Sequence, residues 1–318
     1  MTERKKISIV IPCYRSAKTI GDVVQNIHQT LFENSEFDYE VILVNDGSPD
    51  DTAAVLRVLA QSNSHVIALD LAKNFGQHSA LMAGYAQVTG DYILGLDDDG
   101  EHDPSQMFAL IRKLEEGYDY VCAQFGHREN HTLMQNLGSR ANNWMATWLL
   151  GKPEDVSFSS YYIMRRFVVD EIIKCKNPYP YVGGILMSVT HNIASVEMEH
   201  KPRAAGVSGY SLKKSLALWV NGFTAFSVKP LRIATVLGTI VACGGFLYGL
   251  AIVIRKLLTP SFLVGYASTM AVLLLIGGML MLMLGLVGEY VGRIYISLNQ
   301  MPQYVVKDVY KSDNNGTP

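Results

Sequence analysis

The stretch from Tyr92 to Asp99 reads YILGLDDD, an apolar run that ends in three consecutive acids. A short apolar run of this kind predicts a buried strand, so the acids would lie at the edge of a packed sheet. Carboxylates this close repel one another unless a cation or strong hydrogen-bond donors compensate them. Hard divalent cations such as Mg²⁺ and Mn²⁺ prefer oxygen ligands and often bridge to substrate phosphates. The stretch therefore predicts metal-assisted chemistry on a phosphorylated substrate.

Three further strand-like runs precede this one and alternate with helix-like segments. The predicted strands are 7–11, 41–44, 66–69 and 92–96, and the predicted helices are 17–31, 51–61 and 77–88. Asp50 and Asp51 before Thr52 form a helix-start signal for the second helix. Strand–helix alternation predicts an α/β fold, with a mostly parallel sheet and helices on both of its faces.

Polar and turn-forming residues follow the end of each predicted strand. They are Pro12, Tyr14 and Arg15 after the first strand, Asn45 to Ser48 after the second, Lys73 to Gly76 after the third, and Asp97 to Asp99 after the fourth. In open α/β sheets, ligands bind outside the carboxyl ends of the strands. Asn-Asp-Gly-Ser alone is ordinary turn chemistry, but convergence from four strands indicates a binding site.

The C-terminal third of the chain is apolar. No charged residue lies between Arg232 and Arg255, and a second uncharged run covers 267–288. A membrane-spanning helix needs about 20 apolar residues, so both runs are long enough. The alternative is a pair of buried core helices, but core helices normally keep a polar stripe that these runs lack. The pattern predicts a two-helix transmembrane hairpin and hence a multi-pass protein.

Basic residues flank the predicted hairpin. They are Lys213, Lys214, Lys229 and Arg232 before it, and Arg293, Lys307 and Lys311 after it. By the positive-inside rule they favour cytosolic ends, whereas Arg255 and Lys256 on the connector oppose this orientation. The N-terminal residues lack the apolar segment of a secretory signal. We therefore expect a plasma (inner) membrane protein with a cytosolic catalytic domain.

The overall charge is nearly balanced, with 27 Lys and Arg against 29 Asp and Glu. Nucleic-acid-binding proteins usually carry a basic excess or patch. Nucleic acid is therefore not an expected partner.

Two sets of segments resemble a known enzyme family. IVIPCY (9–14), VNDGS (44–48), KNFG (73–76) and LDDD (96–99) resemble the GT-A glycosyltransferases of family 2. KPLR (229–232), the apolar runs and GEYVGRIY (288–295) resemble its polyprenyl-phosphate branch, which includes enzymes that load sugars onto undecaprenyl or dolichol phosphate. The resemblance implies a Rossmann-like GT-A domain that needs Mg²⁺ or Mn²⁺. It also implies inverting transfer of one sugar from a nucleotide-sugar, expected to be UDP-linked, to a polyprenyl phosphate. Some relatives form homotetramers.

The resemblance also implies roles for the donor-site residues. Pro12, Tyr14 and Asp46 would line the nucleoside pocket, with Asp46 facing the base. Asp97 and Asp99 would be catalytic and would hold the metal, with Glu101 as a further metal contact. The remaining contacts to the nucleotide-sugar would be Arg15, Lys73, Asp97, Asp98 and Arg203.

The acceptor side departs from the family pattern. Relatives often carry Arg where this chain has Gln135, so Arg128 or Arg140, with Ser139, would bind the acceptor phosphate. The family's acidic residue aligns with Val156, beside Asp155. Asp155 either replaces this acid as a third catalytic residue, or the role is absent. A lipid phosphate is largely ionised near neutral pH, with a second pKa of about 6, so it has little need of a general base. We therefore expect Asp97 and Asp99 to matter more for turnover than Asp155.

The predicted domains are a GT-A domain at 1–210, a segment at 211–230, two membrane helices within 231–290 and a cytosolic tail at 291–318. The 211–230 segment is either an amphipathic helix on the membrane or a helix packed on the domain.

Two other functions stay open. A polysaccharide synthase is disfavoured because the Gln-x-x-Arg-Trp motif of processive relatives is missing, and a non-catalytic membrane scaffold would explain the changes at Gln135, Val156 and Gly209.

Overall fold

The computed structural model describes residues 4–34, 36–125, 158–198, 229–258, 265–299 and 301–312. The chain divides into two compact units. The first comprises 1–209 together with 300–318, and the second comprises 210–299.

The first unit is built on an eight-stranded sheet. Its strands are β1 (Lys6–Cys13), β2 (Asp38–Asn45), β3 (Val66–Leu71), β4 (Tyr92–Gly95), β5 (Tyr120–Phe125), β6 (Tyr162–Arg165), β7 (Ile193–Met198) and β8 (Val306–Tyr310). Their order is β7-β5-β6-β4-β1-β2-β3-β8. The β1–β2, β1–β4, β2–β3 and β5–β7 pairs are parallel, and the pairs of β6 and of β8 are antiparallel. The predicted mostly parallel α/β sheet is confirmed.

Helices cover both faces of this sheet. They are α1 (Ile20–Glu33), α2 (Thr52–Ser62), α3 (Gln77–Tyr85), α4 (Met107–Glu115), α5 (Arg166–Ile172) and α6 (Val182–Val189), with a 3₁₀ turn at Pro104–Gln106. Side chains of β1 alternate between the faces, as the strand period of two requires. Ile9 and Ile11 pack in the core beneath α1, α2 and α4, while Val10 packs in the core beneath α3, α5 and α6. The sheet is therefore buried on both sides, as the continuous apolar runs indicate.

Two boundaries differ from the sequence prediction for local reasons. α1 begins at Ile20 rather than at 17, because the carbonyl of Ser16 accepts the N–H groups of Thr19 and Ile20 and forms a turn first. α3 ends at Tyr85 rather than at 88, because the N–H of Gln87 bonds to the carbonyl of Gly84 at 2.9 Å, three residues back instead of four, and tightens the chain into a turn. The predicted start of α2 is confirmed: Asp50 Oδ1 accepts the Thr52 hydroxyl at 2.6 Å.

The tail that follows the apolar region contains a strand that we did not predict. β8 pairs antiparallel with β3 at the edge of the sheet, with Leu69 opposite Val309. Gln303, just before β8, donates from Nε2 to the carbonyl of Asn177 at 2.8 Å. The sheet of the first unit is thus completed by residues that come after the second unit in the chain.

The second unit consists of two long helices, α7 (Lys229–Leu258) and α8 (Tyr266–Leu298). Within the described residues, one stretch is long and apolar enough to cross a membrane: Ala234–Ala251 in α7, with a mean hydropathy of 1.7 and 6% of its residues buried. Large apolar side chains such as Phe246 lie on its surface, 72% exposed, which argues against a soluble core helix. The apolar stretch of α8 is shorter, Ile276–Gly292, so a second crossing remains a prediction.

Candidate active site

The carboxyl ends of β1 to β4 lie side by side at one edge of the sheet. Cys13 pairs with Asn45, Asn45 with Asp70, and Val10 with Gly95. Of the described residues that we predicted for the donor and metal sites, Pro12 lies in β1 itself. The others lie in the loops that follow these strands: Tyr14, Arg15, Asp46, Lys73, Asp97, Asp98, Asp99 and Glu101. Asp155, Arg128, Ser139, Arg140 and Arg203 lie outside the described residues, so their roles remain predictions.

The loop after β1 is fixed through three consecutive backbone N–H groups. Tyr14 donates to Asp98 Oδ2 at 3.1 Å, Arg15 to Ser48 Oγ at 3.1 Å, and Ser16 to Thr52 Oγ1 at 2.9 Å. Arg15 has a φ of 60°, a left-handed conformation that is strained for a side chain of this kind. Because side chains from three other segments hold it, the loop has one defined shape before any ligand arrives.

This shape presents an aromatic ring and a cation to solvent. The Tyr14 side chain is 46% exposed, and the Arg15 guanidinium carbon lies 5.5 Å from the centroid of its ring. An exposed aromatic face can stack on a nucleobase, and a guanidinium suits phosphate oxygens. The geometry is compatible with the predicted nucleoside contact.

Asp46, at the end of β2, is buried and binds the loop after β3. Its Oδ1 accepts the N–H of Phe75 at 2.7 Å, and its Oδ2 accepts the N–H of Gly76 at 2.9 Å. Burial raises the pKa of Asp46, although these two bonds act against the rise. Asp46 therefore shapes the 73–76 loop, where the Lys73 ammonium lies 5.0 Å from the Phe75 ring centroid. A contact between Asp46 and a base remains a prediction.

Gly47 allows the second and third loops to meet. Its φ is +58°, and a Cβ at this position would lie 2.4 Å from the carbonyl carbon of Lys73. No side chain fits that space, so the backbone approach requires glycine.

The three consecutive acids have different surroundings. Asp98 Oδ2 accepts both the N–H of Tyr14 and the Ser16 hydroxyl. Burial raises the pKa of Asp98, and the charge of Asp97 raises it further. We predicted Asp98 as a ligand contact. In the structure its carboxylate connects the end of β4 to the loop after β1, and a contact of Asp98 with the donor remains a prediction.

Asp97 and Asp99 lie on either side of this anchor and are partly exposed. Asp97 accepts hydrogen bonds from Gln77 Nε2 at 3.3 Å and from the Ser160 hydroxyl. Asp99 Oδ1 accepts the N–H of Glu101 at 3.0 Å. The sequence analysis missed Gln77 and Ser160 because neither stands in a chemical motif; only the fold brings them to Asp97.

The donor atoms at this edge suit a hard divalent cation. Among the residues that the structure describes, no group of three or more His, Cys, Asp or Glu side chains is arranged to hold a metal, so Asp97, Asp99 and Glu101 do not form a three-carboxylate cage. Mg²⁺ in nucleotide sites is usually held by one or two carboxylates, the substrate phosphates and several waters. The two partly exposed carboxylates fit that pattern.

Comparisons with known proteins agree with the fold and with the order of the units. Residues 8–173 match the family described as Glycosyl transferase family 2. Residues 229–294 match the family described as GtrB C-terminal hairpin. The two matches fall on the sheet-bearing unit and on the α7–α8 helices.

Similar curated proteins cover nearly the whole chain. An undecaprenyl-phosphate 4-deoxy-4-formamido-L-arabinose transferase of Yersinia enterocolitica is 34% identical over 98% of this chain and 96% of its own length. An uncharacterized glycosyltransferase of Bacillus subtilis is 32% identical over 99% of this chain and 97% of its own length.

Solved structures share the fold. A mannosyl-3-phosphoglycerate synthase from Rubrobacter xylanophilus has a TM-score of 0.51 at 19% identity, covering 72% of this chain and 74% of that chain. A glucosyl-3-phosphoglycerate synthase from Mycobacterium tuberculosis, in complex with Mn²⁺ and uridine-diphosphate-glucose, has a TM-score of 0.51 at 19% identity and covers 69% and 77%. The chain therefore belongs to glycosyl transferase family 2, in its polyprenyl-phosphate branch, and is a glycosyltransferase with a GT-A fold and a C-terminal hairpin.

Proposed function

We propose that this enzyme transfers one sugar from a UDP-linked donor to undecaprenyl phosphate at the cytosolic face of the plasma membrane, with inversion at the anomeric carbon. The observation that carries the proposal is the meeting of the Tyr14–Ser16 loop, Asp46 and the three acids at one sheet edge. The curated relative from Yersinia enterocolitica, named for undecaprenyl phosphate and a modified arabinose, supports the acceptor.

The donor would lie across the carboxyl ends of β1, β2 and β4. Tyr14 stacks on the base, and Arg15 and Lys73 face the diphosphate. Asp97 and Asp99 would hold Mg²⁺ or Mn²⁺, and Asp98 keeps the Tyr14 loop in place beside them. When bound, the metal stabilises the negative charge that develops on the departing nucleoside diphosphate.

The acceptor needs positioning more than deprotonation. Its phosphate carries an ionised oxygen near neutral pH, and Arg128, Ser139 and Arg140 would place that oxygen behind the anomeric carbon. Attack from this side in a single displacement inverts the configuration. Asp155 then has a supporting role, and orientation supplies much of the rate enhancement.

The helices α7 and α8 would bring this chemistry to the lipid. The exposed apolar surface of Ala234–Ala251 suits a bilayer, and a second crossing by α8 would place both ends of the hairpin in the cytosol. A homotetramer, as in some relatives, is part of the proposal and is tested by the mass of the protein in detergent.

The test uses the full-length protein in vesicles that contain undecaprenyl phosphate. A panel of radiolabelled UDP-sugars is added with Mn²⁺, with Mg²⁺, or with a chelator. We expect label in the organic extract with either metal, and none with the chelator. Label in a polymer would favour a polysaccharide synthase, and donor binding without any transfer would favour a scaffold.

A further inference from the structure

A chain of hydrogen bonds crosses the sheet from β3 to the loop after β1. Asp70 Oδ1, in β3, accepts from Asn45 Nδ2, at the end of β2, at 2.6 Å. Asn45 Oδ1 accepts the N–H of Ser48 at 3.2 Å, and Ser48 Oγ accepts the N–H of Arg15 at 3.1 Å. The loop that we assign to the donor is therefore bonded, through the end of β2, to β3.

The residue types in this chain suit their places. Asn45 is buried, with 3% of its surface exposed, and its amide donates to a carboxylate on one side while it accepts a backbone N–H on the other. A carboxylate at position 45 could still accept from Ser48 but could not donate to Asp70. The two bonds thus fix the orientation of the amide, and with it the position of Ser48.

The C-terminal strand β8 reaches the other end of this chain. Its register against β3 shifts after Asp70, which lies opposite Asp308, so that Lys307 is the extra residue of a β-bulge. The Lys307 ammonium lies 3.9 Å from Asp70 Oδ2 and 3.9 Å from Asp308 Oδ2. Because the Lys307 side chain is 64% exposed, this charge pair alone contributes little. Backbone pairing of β8 is therefore the main support that the tail gives to Asp70.

The tail also holds the loop after β3 directly. The carbonyl of Val305 accepts the N–H of Ala72 at 2.9 Å, immediately before the 73–76 loop. The far end of this loop is bonded to the Asp46 carboxylate, and Asn74 Nδ2 donates to the Asp46 carbonyl at 3.1 Å. The tail and the end of β2 therefore hold the same loop from its two ends.

We propose that Asn45 and Asp70 are positioning residues for the nucleotide-sugar, and that pairing of β8 with β3 completes their arrangement. The inference rests on the proposed function and gives the C-terminal tail a part in donor binding. Neither side chain takes part in the chemistry; both act through Ser48 on the Tyr14–Ser16 loop. Coupling of this kind is reciprocal, so a bound nucleotide should also hold β8 more firmly on β3.

The first test reverses the polarity of the bond between Asn45 and Asp70. Asn45→Asp places two carboxylates at hydrogen-bond distance and should raise the dissociation constant of UDP with Mn²⁺, and KM for the donor, about tenfold, with a much smaller change in kcat. Asn45→Asp combined with Asp70→Asn restores the bond in the opposite direction and keeps a carboxylate oxygen for the N–H of Ser48. We expect this double variant to regain most of the affinity for UDP. A double variant as weak as Asn45→Asp overturns the inference.

A control at the other end of β2 separates positioning from stability. Glu40 accepts bonds from Ser8 Oγ at 2.6 Å and Lys6 Nζ at 2.9 Å, far from the loops in question. Glu40→Gln should destabilise the fold and leave the dissociation constant of UDP within about twofold of the wild-type value. If this control weakens UDP as much as Asn45→Asp does, donor affinity follows global stability and the positioning role is wrong.

The second test follows β8 in the unmodified full-length protein. Amide hydrogen exchange is measured in detergent with Mn²⁺, with and without UDP. We expect UDP to slow exchange in peptides that contain Ala72 and residues 306–310 about fivefold or more, and Asn45→Asp to abolish this effect. Protection by UDP that is confined to the loops at the sheet edge overturns the inference.

The outcomes separate the two claims. If the wild-type protein binds no UDP and transfers no sugar, the proposed function fails and this inference with it. If it does both, but the double variant stays weak or UDP leaves exchange in β8 unchanged, the inference alone fails. Should Asn45→Asp not fold, exchange in the wild-type protein decides.

Discussion

Two acids lie at opposite ends of the parallel strands, and their surroundings differ: Glu40 in β2 is buried, and Asp98 after β4 is partly exposed. Glu40, near the start of β2, accepts bonds from Ser8 Oγ at 2.6 Å, Lys6 Nζ at 2.9 Å and Thr89 N at 2.6 Å. Asp98, at the other end, accepts the Ser16 hydroxyl and the backbone N–H of Tyr14, and within the described residues no Lys or Arg pairs with it. One acid is compensated by a cation, and the other is not.

The pKa values follow this difference. Burial raises the pKa of Glu40, but the bonds from Ser8, Lys6 and Thr89 outweigh it and leave that pKa below the usual value. For Asp98, burial prevails and the pKa is raised. Buried acids whose partners all come from the chain stabilise the fold. Asp98 has no such cation among the described residues, which suits an edge of the sheet where a ligand brings positive charge.

The largest predicted effect is on catalysis, at the acids that follow β4. Asp97→Asn or Asp99→Asn should lower kcat about 10²–10³-fold, because each removes a charge that holds the metal against the leaving group. Asp155→Asn should lower it much less. Transfer of label to the lipid measures all three variants. Complete loss in Asp155→Asn with normal donor binding would contradict our ranking.

The next effect is on stability at the compensated end. Glu40→Gln should lower the free energy of unfolding by about 1–3 kcal/mol, because Lys6 loses its charged partner and the amide cannot satisfy every donor. The pKa of Glu40 is lowered in the fold, so its contribution is present above the usual Glu pKa and is lost as pH falls through the lowered value. The unfolding midpoint of the full-length protein in detergent, followed against pH, measures this.

A matched control lies just after the C-terminal end of α4. Glu116→Gln removes the exposed pair with Lys113 and should cost less than about 0.5 kcal/mol. If Glu40→Gln were no more destabilising than this control, the distinction between the two ends of the sheet would be lost.

Asp98 should respond in the opposite direction from Glu40. Its raised pKa means that the fold prefers the protonated form, so stability falls as pH rises from the usual Asp pKa through the raised value. Asp98→Asn should therefore be neutral or stabilising at pH 7, with its amide oxygen still accepting from Tyr14 and Ser16.

Asp98→Ala loses both bonds and should raise KM for the donor about tenfold with little change in kcat. A larger loss in kcat than in KM would make Asp98 a metal ligand instead.

The smallest predicted effect concerns the strained loop. Arg15→Gly removes the cost of a left-handed conformation and should change the free energy of unfolding by no more than about 1 kcal/mol, towards stability. Donor affinity should fall, because the guanidinium beside Tyr14 is lost. Calorimetric titration with a UDP-sugar and a thermal melt separate the two effects. A variant that loses stability would show that Arg15 is not strained.

The sequence predicted the first four strands because each is a continuous apolar run that ends in polar residues. It also placed the four loops at one edge, since the ends of parallel strands meet. The sequence did not distinguish the three acids from one another. Which of the acids bonds to the loop after β1 depends on the pairing of Val10 with Gly95, because this pairing brings the Tyr14 loop beside Asp98.

The antiparallel strands β6 and β8 have no comparable pattern in the sequence. β6 is four residues long and inserts between β4 and β5, an order that no local pattern encodes. β8 alternates half-buried and exposed residues over only five positions. So short a pattern is weak beside the long apolar region that precedes it. Asp70 and Lys307 are distant in sequence, so the contact between them could not be predicted.

The place of β8 in the sheet has a consequence for biosynthesis. The ribosome completes α7 and α8 before it makes Val306–Tyr310, so the edge of the sheet beyond β3 stays open until both helices have been synthesised. A soluble fragment that stops before the hairpin would leave β3 as an unprotected edge prone to aggregation. A water-soluble version of this enzyme should therefore keep residues 301–312, rejoined by a flexible linker in place of the hairpin.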